Sequence, residues 1–361
     1  MKSVIGKNIT LALYGESHGE AIGIVLDGLP AGIKIKKDFI AQQLDKRKPK
    51  GKISTMRRET DDFEITSGVF NGFSTGTPIH ITIKNTACIS KDYNQFLPRP
   101  SHADYAAHIK YSGFQDYRGG GHFSGRLTAP IVAAGAIALD ILKSKGIIIG
   151  THIKKCQDIM DRDFADYAKD IEVCNSKYFA VLSQSAEEKM LSHIEKIAEQ
   201  GDSVGGVLET CVLGIPAGVG EPYFNSVESV LSQYLFSIGG IKGIEFGKGF
   251  EISDCLGSQA NDEFCMQNGK VATKSNNNGG INGGITNGMP LIFRLAVKPT
   301  PSIFKEQSTV NLETGKDAKI CLSGRHDPAI FHRIRVVADS MTALALLDLL
   351  VQHFGERWLT Q

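Results

Sequence analysis

The sequence predicts an α+β fold assembled from two quasi-equivalent halves, and three observations carry that prediction. Short strand-like runs separated by glycine and proline turns fill the early chain. Each half closes with an Ala/Leu helix after an arginine loop: 126–145 follows Gly119 to Arg126, and 337–353 follows Gly324-Arg325-His326-Asp327-Pro328. Residues 15–33 also match 201–219 without a gap at a constant offset of 186. Gly15/Gly201, Ser17/Ser203, Gly19/Gly205, Gly28/Gly214, Pro30/Pro216, Ala31/Ala217 and Gly32/Gly218 are identical in the two copies. Halves of about 1–185 and 186–361 within one domain follow, meeting near a pseudo-dyad.

Taken in order, residues 9–14 and 21–26 read as strands around Gly15-Glu16-Ser17-His18-Gly19. The second copy has Val204 where the first has His18, so only one half carries an acid–base group there. Leu29 to Gly32 reads as a turn and Lys37 to Lys46 as a short helix. Lys46, Arg47, Lys48, Lys50, Lys52, Arg57 and Arg58 then form a basic stretch bracketed by the strands 63–69 and 78–84. Such a stretch is either a solvated face or a site for a polyanionic small molecule.

Ser101 reads as the N-cap of a helix with Asp104 three residues on, which puts His102 in the first turn. A helix dipole disfavours an imidazolium there, so His102 is expected to exchange its proton near neutral pH.

The stretch Arg118-Gly119-Gly120-Gly121-His122-Phe123-Ser124-Gly125-Arg126 feeds a helix with Pro130 near its start, the outline of an anion site. It matches neither the P-loop, because Arg126-Leu127 follows Gly125, nor the dinucleotide pattern, because Ser124 replaces a glycine. A mobile surface loop is the other reading. Residues 183–200 predict an amphipathic structural helix with Ser185 and Glu188 as capping pair and Gly201 as stop. A helix near 226–238 closes at Gly239-Gly240, and the Gly/Asn loop 275–288 runs into a buried strand at 289–297. That loop reads as a linker by composition, or as close backbone approach to a ligand by its attachment to a core strand.

Composition narrows the function. A net charge of +1 excludes a generally basic nucleic-acid binder. Seven cysteines, widely spaced and without a Cys-x-x-Cys pair, predict reduced and mostly buried thiols in a cytoplasmic protein, with no clustered zinc site. No signal peptide and no membrane-spanning stretch is expected. Gly15 to Gly19 fits Gly-x-Ser-x-Gly, yet no helix follows the serine, so a Ser-His-Asp hydrolase is a poor fit. An enzyme that holds a polyanionic cofactor and an anionic substrate and moves protons remains.

The chain resembles the chorismate synthases from end to end. The carrying motifs are Gly15-Glu-Ser-His-Gly19, Arg57-Arg58-Glu59, Ser67-Gly-Val-Phe70, Thr75-Gly-Thr77, His102-Ala-Asp-Tyr105, Asp116-Tyr-Arg-Gly-Gly-Gly121, Lys298-Pro-Thr300 and Gly324-Arg-His-Asp-Pro328. The resemblance implies anti 1,4-elimination of phosphate from 5-enolpyruvylshikimate 3-phosphate to give chorismate. It further implies reduced FMN with no net redox change, and a homotetramer built on a β-α-β sandwich with helices between antiparallel sheets.

Carried over by position, His18 protonates the departing phosphate, His102 protonates the reduced flavin, and Asp327 assists proton removal, with Ser17 and Ser124 as relays. FMN is expected at His122, Phe123, Ser124, Gly239, Gly240, Gly283, Lys298, Pro299, Thr300, Pro301, Ser302 and Arg325. Arg47, Lys52, Arg57, Arg58 and Arg126 are expected to serve substrate or NADPH. With no reductase domain visible, an external flavin reductant is expected. His122-Phe123-Ser124-Gly125 departs from the Arg-Ser-Ser-Ala common in the family, and Asp339-Ser340 stands where Glu-Ala is common, which reads as a packing change. The competing readings are a non-catalytic flavin-binding protein and, from another class, a nucleic-acid binder using residues 46–58.

Overall fold

Two five-stranded antiparallel sheets enclose a layer of helices in this computed structural model, which describes residues 3–51, 53–54, 60–86, 93–322 and 327–361. The first sheet runs in the order Val4–Ile5, Thr10–Gly15, Ala21–Asp27, Ile79–Lys84, Phe63–Ser67. Its alternation is plain in Ile79–Lys84, where Ile79, Ile81 and Ile83 are fully buried and the residues between them are not. The second sheet runs Ile241–Phe246, Leu291–Val297, Gly206–Leu213, Ile148–Cys156, Ile159–Met160.

Between the sheets lie Lys37–Arg47, Thr128–Ser144, Val227–Phe236 and Phe331–Phe354. The Thr128 helix packs on strands of both sheets, and the Phe331 helix packs on the Thr128 helix and the second sheet. One hydrophobic cluster runs through all three layers. The expected α+β sandwich is therefore the observed architecture.

The two halves share connectivity and turn chemistry. Strand Ala21–Asp27 and strand Gly206–Leu213 hold corresponding places, each followed by a glycine turn at Gly28 or Gly214 with φ of +94° or +83°. In the first half the Ser74 hydroxyl donates to Pro30 O and accepts from Ile33 N–H; in the second, the Thr286 hydroxyl donates to Pro216 O and accepts from Val219 N–H. A second correspondence, at an offset of 212, pairs Gly68, Gly72, Ser74, Gly76 and Pro78 with Gly280, Gly284, Thr286, Gly288 and Pro290. The sheets divide earlier than the expected boundary near 185, because Ile148–Cys156 already belongs to the second sheet.

Several local expectations are corrected. The window Gly125–Ser144 is long and apolar enough to cross a membrane, and 67% of it is buried among the sheets and helices. Ser183, not Ser185, occupies the N-cap of Gln184–Glu199, and Glu188 accepts from the Gln184 side chain instead. The Gly/Asn loop closes on a protein carboxylate: Asp262 accepts from Ser275 Oγ and from the N–H groups of Asn277 and Asn278. Asp339-Ser340 is more than a packing change. Asp339 pairs with Arg335 at 3.3 Å and accepts from the Thr151 hydroxyl at 2.6 Å, all buried. Of the six described cysteines three are buried, two half-buried and Cys321 exposed, so the thiols are less uniformly buried than expected.

Candidate functional site

The loop after strand Thr10–Gly15 sets His18 against the triple glycine. Ser17 N–H donates to Gly121 O at 3.1 Å and Ser17 Oγ donates to Arg118 O at 3.3 Å. Gly119, Gly120 and Gly121 all have positive φ. A Cβ on Gly119 would stand 2.5 Å from His18 Nε2, so only glycine lets the two loops meet. The glycines thus serve close approach of His18 and Ser17, which an anion site at a helix N-terminus did not anticipate. His122 is turned into the same loop: its Nδ1 bonds Gly15 O at 2.8 Å and its Nε2 bonds Ser3 Oγ at 3.0 Å. Ser124 caps the turn 125–127 by accepting from Arg126 N–H, and Phe123 lies half-exposed against Tyr111.

From His18 a line of contacts leads to His102. His18 meets Tyr93 edge-on at 5.4 Å, and the Arg99 guanidinium lies 5.2 Å from the Tyr93 ring centre. Arg99 is held by both oxygens of Asp104 at 2.7 and 2.8 Å. The expected cap is absent: Ser101 has φ of +60° and the helix begins at Asp104, so His102 sits in the preceding turn. Its Nδ1 bonds Pro100 O at 3.1 Å and its Nε2 bonds Ser302 Oγ at 2.9 Å. Burial, with the Arg99 and Lys298 cations beside it, pulls the imidazole down to about 4 despite Asp104, well below the expected neutral range.

The segment 298–302 leaves strand Leu291–Val297 directly against this histidine. Lys298 N–H donates to Gly240 O, and Lys298 Nζ donates to Ser101 O at 2.7 Å. Gly239, Gly240, Lys298 to Ser302 and His102 are thus brought together. Gly283 is not: it turns the hairpin 281–286, at the opposite end of the same strand. The Thr300 hydroxyl is buried with no hydrogen-bond partner. An unspent buried hydroxyl beside a lysine and glycine backbone fits the polar portion of a flavin nucleotide.

A second line leads from the His18 loop to Asp327. Asn85 Nδ2 donates to Glu16 O and Gly19 O, both at 2.9 Å, pinning the loop on either side of His18. Asn85 Oδ1 accepts from Arg126 Nε at 3.2 Å. Arg126 and Arg47 both bond Asp61, the latter at 2.7 Å, and the Asp61 side chain has no exposed surface. Burial alone would raise the Asp61 carboxyl, but the Arg47 and Arg126 guanidiniums hold it below its ordinary value. Arg47 O accepts from Arg333 Nε at 2.9 Å, and Arg333 Nη1 donates to Asp327 at 2.6 Å. Beside them His332 is fully buried, bonded through Nε2 to Ser54 Oγ at 2.8 Å, and pulled down to about 3 by burial.

His18, Ser17, His102, Asp327, Arg47 and Arg126 therefore belong to one connected constellation. Arg47 and Arg126 are 3% and 6% exposed, deep side chains and not part of a solvated face. Lys52, Arg57, Arg58 and Arg325 lie outside the described residues. Asp61, Asn85 and Arg333, which hold the predicted residues in place, were missed in the sequence, where the signal was the acidic cluster Glu59, Asp61 and Asp62 after the basic stretch. Among the described residues no group of His, Cys, Asp and Glu could hold a metal.

The chain is similar to known proteins along nearly its whole length. The family profile described as chorismate synthase matches residues 9–351. The chorismate synthase of Thermococcus gammatolerans is 43% identical over 355 residues, covering 96% of this chain and 97% of the relative. That of Lachnoclostridium phytofermentans is 45% identical over 360 residues, covering 98% and 96%. A solved structure titled "Crystal Structure of Chorismate Synthase" aligns with a TM-score of 0.76 at 29% identity, covering 97% of this chain and 94% of that one.

Proposed function

The chain belongs to the chorismate synthase family, lyases of the shikimate pathway, and from that premise we propose that it eliminates phosphate from 5-enolpyruvylshikimate 3-phosphate to form chorismate with the help of reduced FMN. The observation that carries this reading is the continuous set of contacts from His102 through His18 to Asp327, with buried arginines along it.

Arg47 and Arg126 against one Asp61 leave a net positive charge, suited to a phosphate leaving as an anion. His18 is held at the tip of a loop fixed on both sides by Asn85, where it can pass a proton to the departing phosphate oxygen. Asp327, oriented by Arg333, is the base for the ring proton that leaves with the phosphate. Lys298, Thr300 and the backbone of Gly239 and Gly240 are the groups that would hold the flavin; Ser302 bonds His102 Nε2, and a negatively charged ligand there would raise its depressed proton affinity. Reduced FMN, when bound, supplies electron density to the substrate ring as its C–O bond breaks.

We also propose a cytoplasmic homotetramer that receives reduced flavin from an outside source, with NADPH as a candidate reductant. The reading predicts that the anaerobic wild-type chain releases phosphate and chorismate in equal amounts from this substrate with reduced FMN, and neither with oxidised FMN. Phosphate release without chorismate, or turnover indifferent to flavin, would overturn it.

A further inference from the structure

We propose that Asp61 is a positioning residue for this reaction: one buried carboxylate that fixes Arg47 and Arg126 and, through them, the loop of His18 and the Arg333–Asp327 pair. The inference rests on the reaction proposed above. Asp61 spends one oxygen on Arg47 Nη2 and the other on Arg126 Nη1, with no exposed side-chain surface, so it meets the substrate only through them. Its backbone has φ of +52°, a conformation that costs a non-glycine residue energy and persists where the surroundings impose it.

The contacts of the two arginines extend its reach. Through Arg126 and Asn85 it is linked to the backbone on both sides of His18, and through the Arg47 carbonyl and Arg333 it is linked to Asp327. The proposed acid and base, on different halves of the molecule, are thus tied to one carboxylate. Without its charge, Arg47 and Arg126 lose the carboxylate they share, and the His18 loop and the Arg333–Asp327 pair lose their common anchor.

The test compares full-length wild type, Asp61→Asn and Asp61→Glu in anaerobic steady-state assays with reduced FMN, using inorganic phosphate as a competitive probe. Asp61→Asn keeps the shape and the positive charge, so KM and phosphate inhibition should hold within about threefold while kcat falls about a hundredfold, the cost of misplaced groups. Asp61→Glu keeps the charge and should recover part of kcat. A kcat for Asp61→Asn within threefold of wild type overturns the proposal, as does an equal loss of kcat and phosphate affinity. If Asp61→Asn does not fold, Asp61→Glu decides: its one-methylene displacement must lower kcat while sparing phosphate inhibition, and a wild-type kcat overturns the proposal. An inactive wild type overturns the reaction itself and Asp61 with it, whereas an active wild type beside an unaffected variant overturns Asp61 alone.

Discussion

Gly119 has φ of +62°, and an added Cβ would fall 2.5 Å from His18 Nε2 and 2.7 Å from Ser17 Oγ. Gly119→Ala is therefore expected to displace His18, with a conformational cost of about 1–3 kcal/mol and a loss of turnover of about a hundredfold. Activity measured beside a thermal melt checks this; unchanged kcat would show that His18 has room to move. Glycine was legible here because few other reasons exist for three in a row, although what they approach is protein side chains. Asp61 was not legible. Its partners stand 14 and 65 residues away in the chain, and one of the three carboxylates that follow the basic run has no period that would single it out. The cap expected at Ser101 failed for a local reason: Asp104 accepts from the Arg99 backbone N–H as well as from its guanidinium, and the helix begins at Asp104 instead.

At the scale of elements, the two closing helices cross at Gly135 and Ser340, where an added Cβ on Gly135 would stand 2.3 Å from Ser340 Cβ. Gly135→Ala is expected to destabilise by about 1–3 kcal/mol through overpacking, and Ser340→Gly in the same chain should recover much of the loss. Denaturant melts of both singles and the double check it; additive losses would mean that the helices separate freely. These helices were legible from their Ala/Leu content, and the strands from alternation. The Phe331 helix is longer than the predicted 337–353 because its first turns carry His332, Arg333 and Arg335, polar residues that look like loop in sequence but are held by Ser54, Asp327 and Asp339. Tertiary ion pairs overrode the local pattern.

For the whole molecule, the duplication was half legible. The echo at 186 was visible, while the one at 212 was hidden by a different spacing and by serine standing opposite threonine. Buried histidines give the molecule a pH profile with two limbs. His102 and His332 are held at about 4 and about 3, below the unfolded value near 6.5, so the unfolded chain binds protons first as pH falls. Stability present above pH 6.5 is lost between there and about 4 for His102 and about 3 for His332, by about 1.4 kcal/mol per pH unit for each proton of difference. His152 behaves oppositely. Burial opposes its charge, but Asp161 at 2.9 Å and Glu209 at 3.0 Å prevail and raise its proton affinity. Its contribution is complete below pH 6.5 and is lost as pH rises through the raised value. Urea melts across pH 4 to 9 should show both limbs, and His332→Gln should flatten the acid one; a flat profile would contradict the assignment.

The most direct measurement is chorismate absorbance during anaerobic turnover of 5-enolpyruvylshikimate 3-phosphate with reduced FMN, for wild type beside His18→Ala and His102→Ala. Flavin-dependent turnover by the wild type that collapses in both variants is the predicted result, because the contacts from His102 to His18 make them parts of one site. Tight FMN binding without turnover by the wild type, or full activity in either variant, would contradict it.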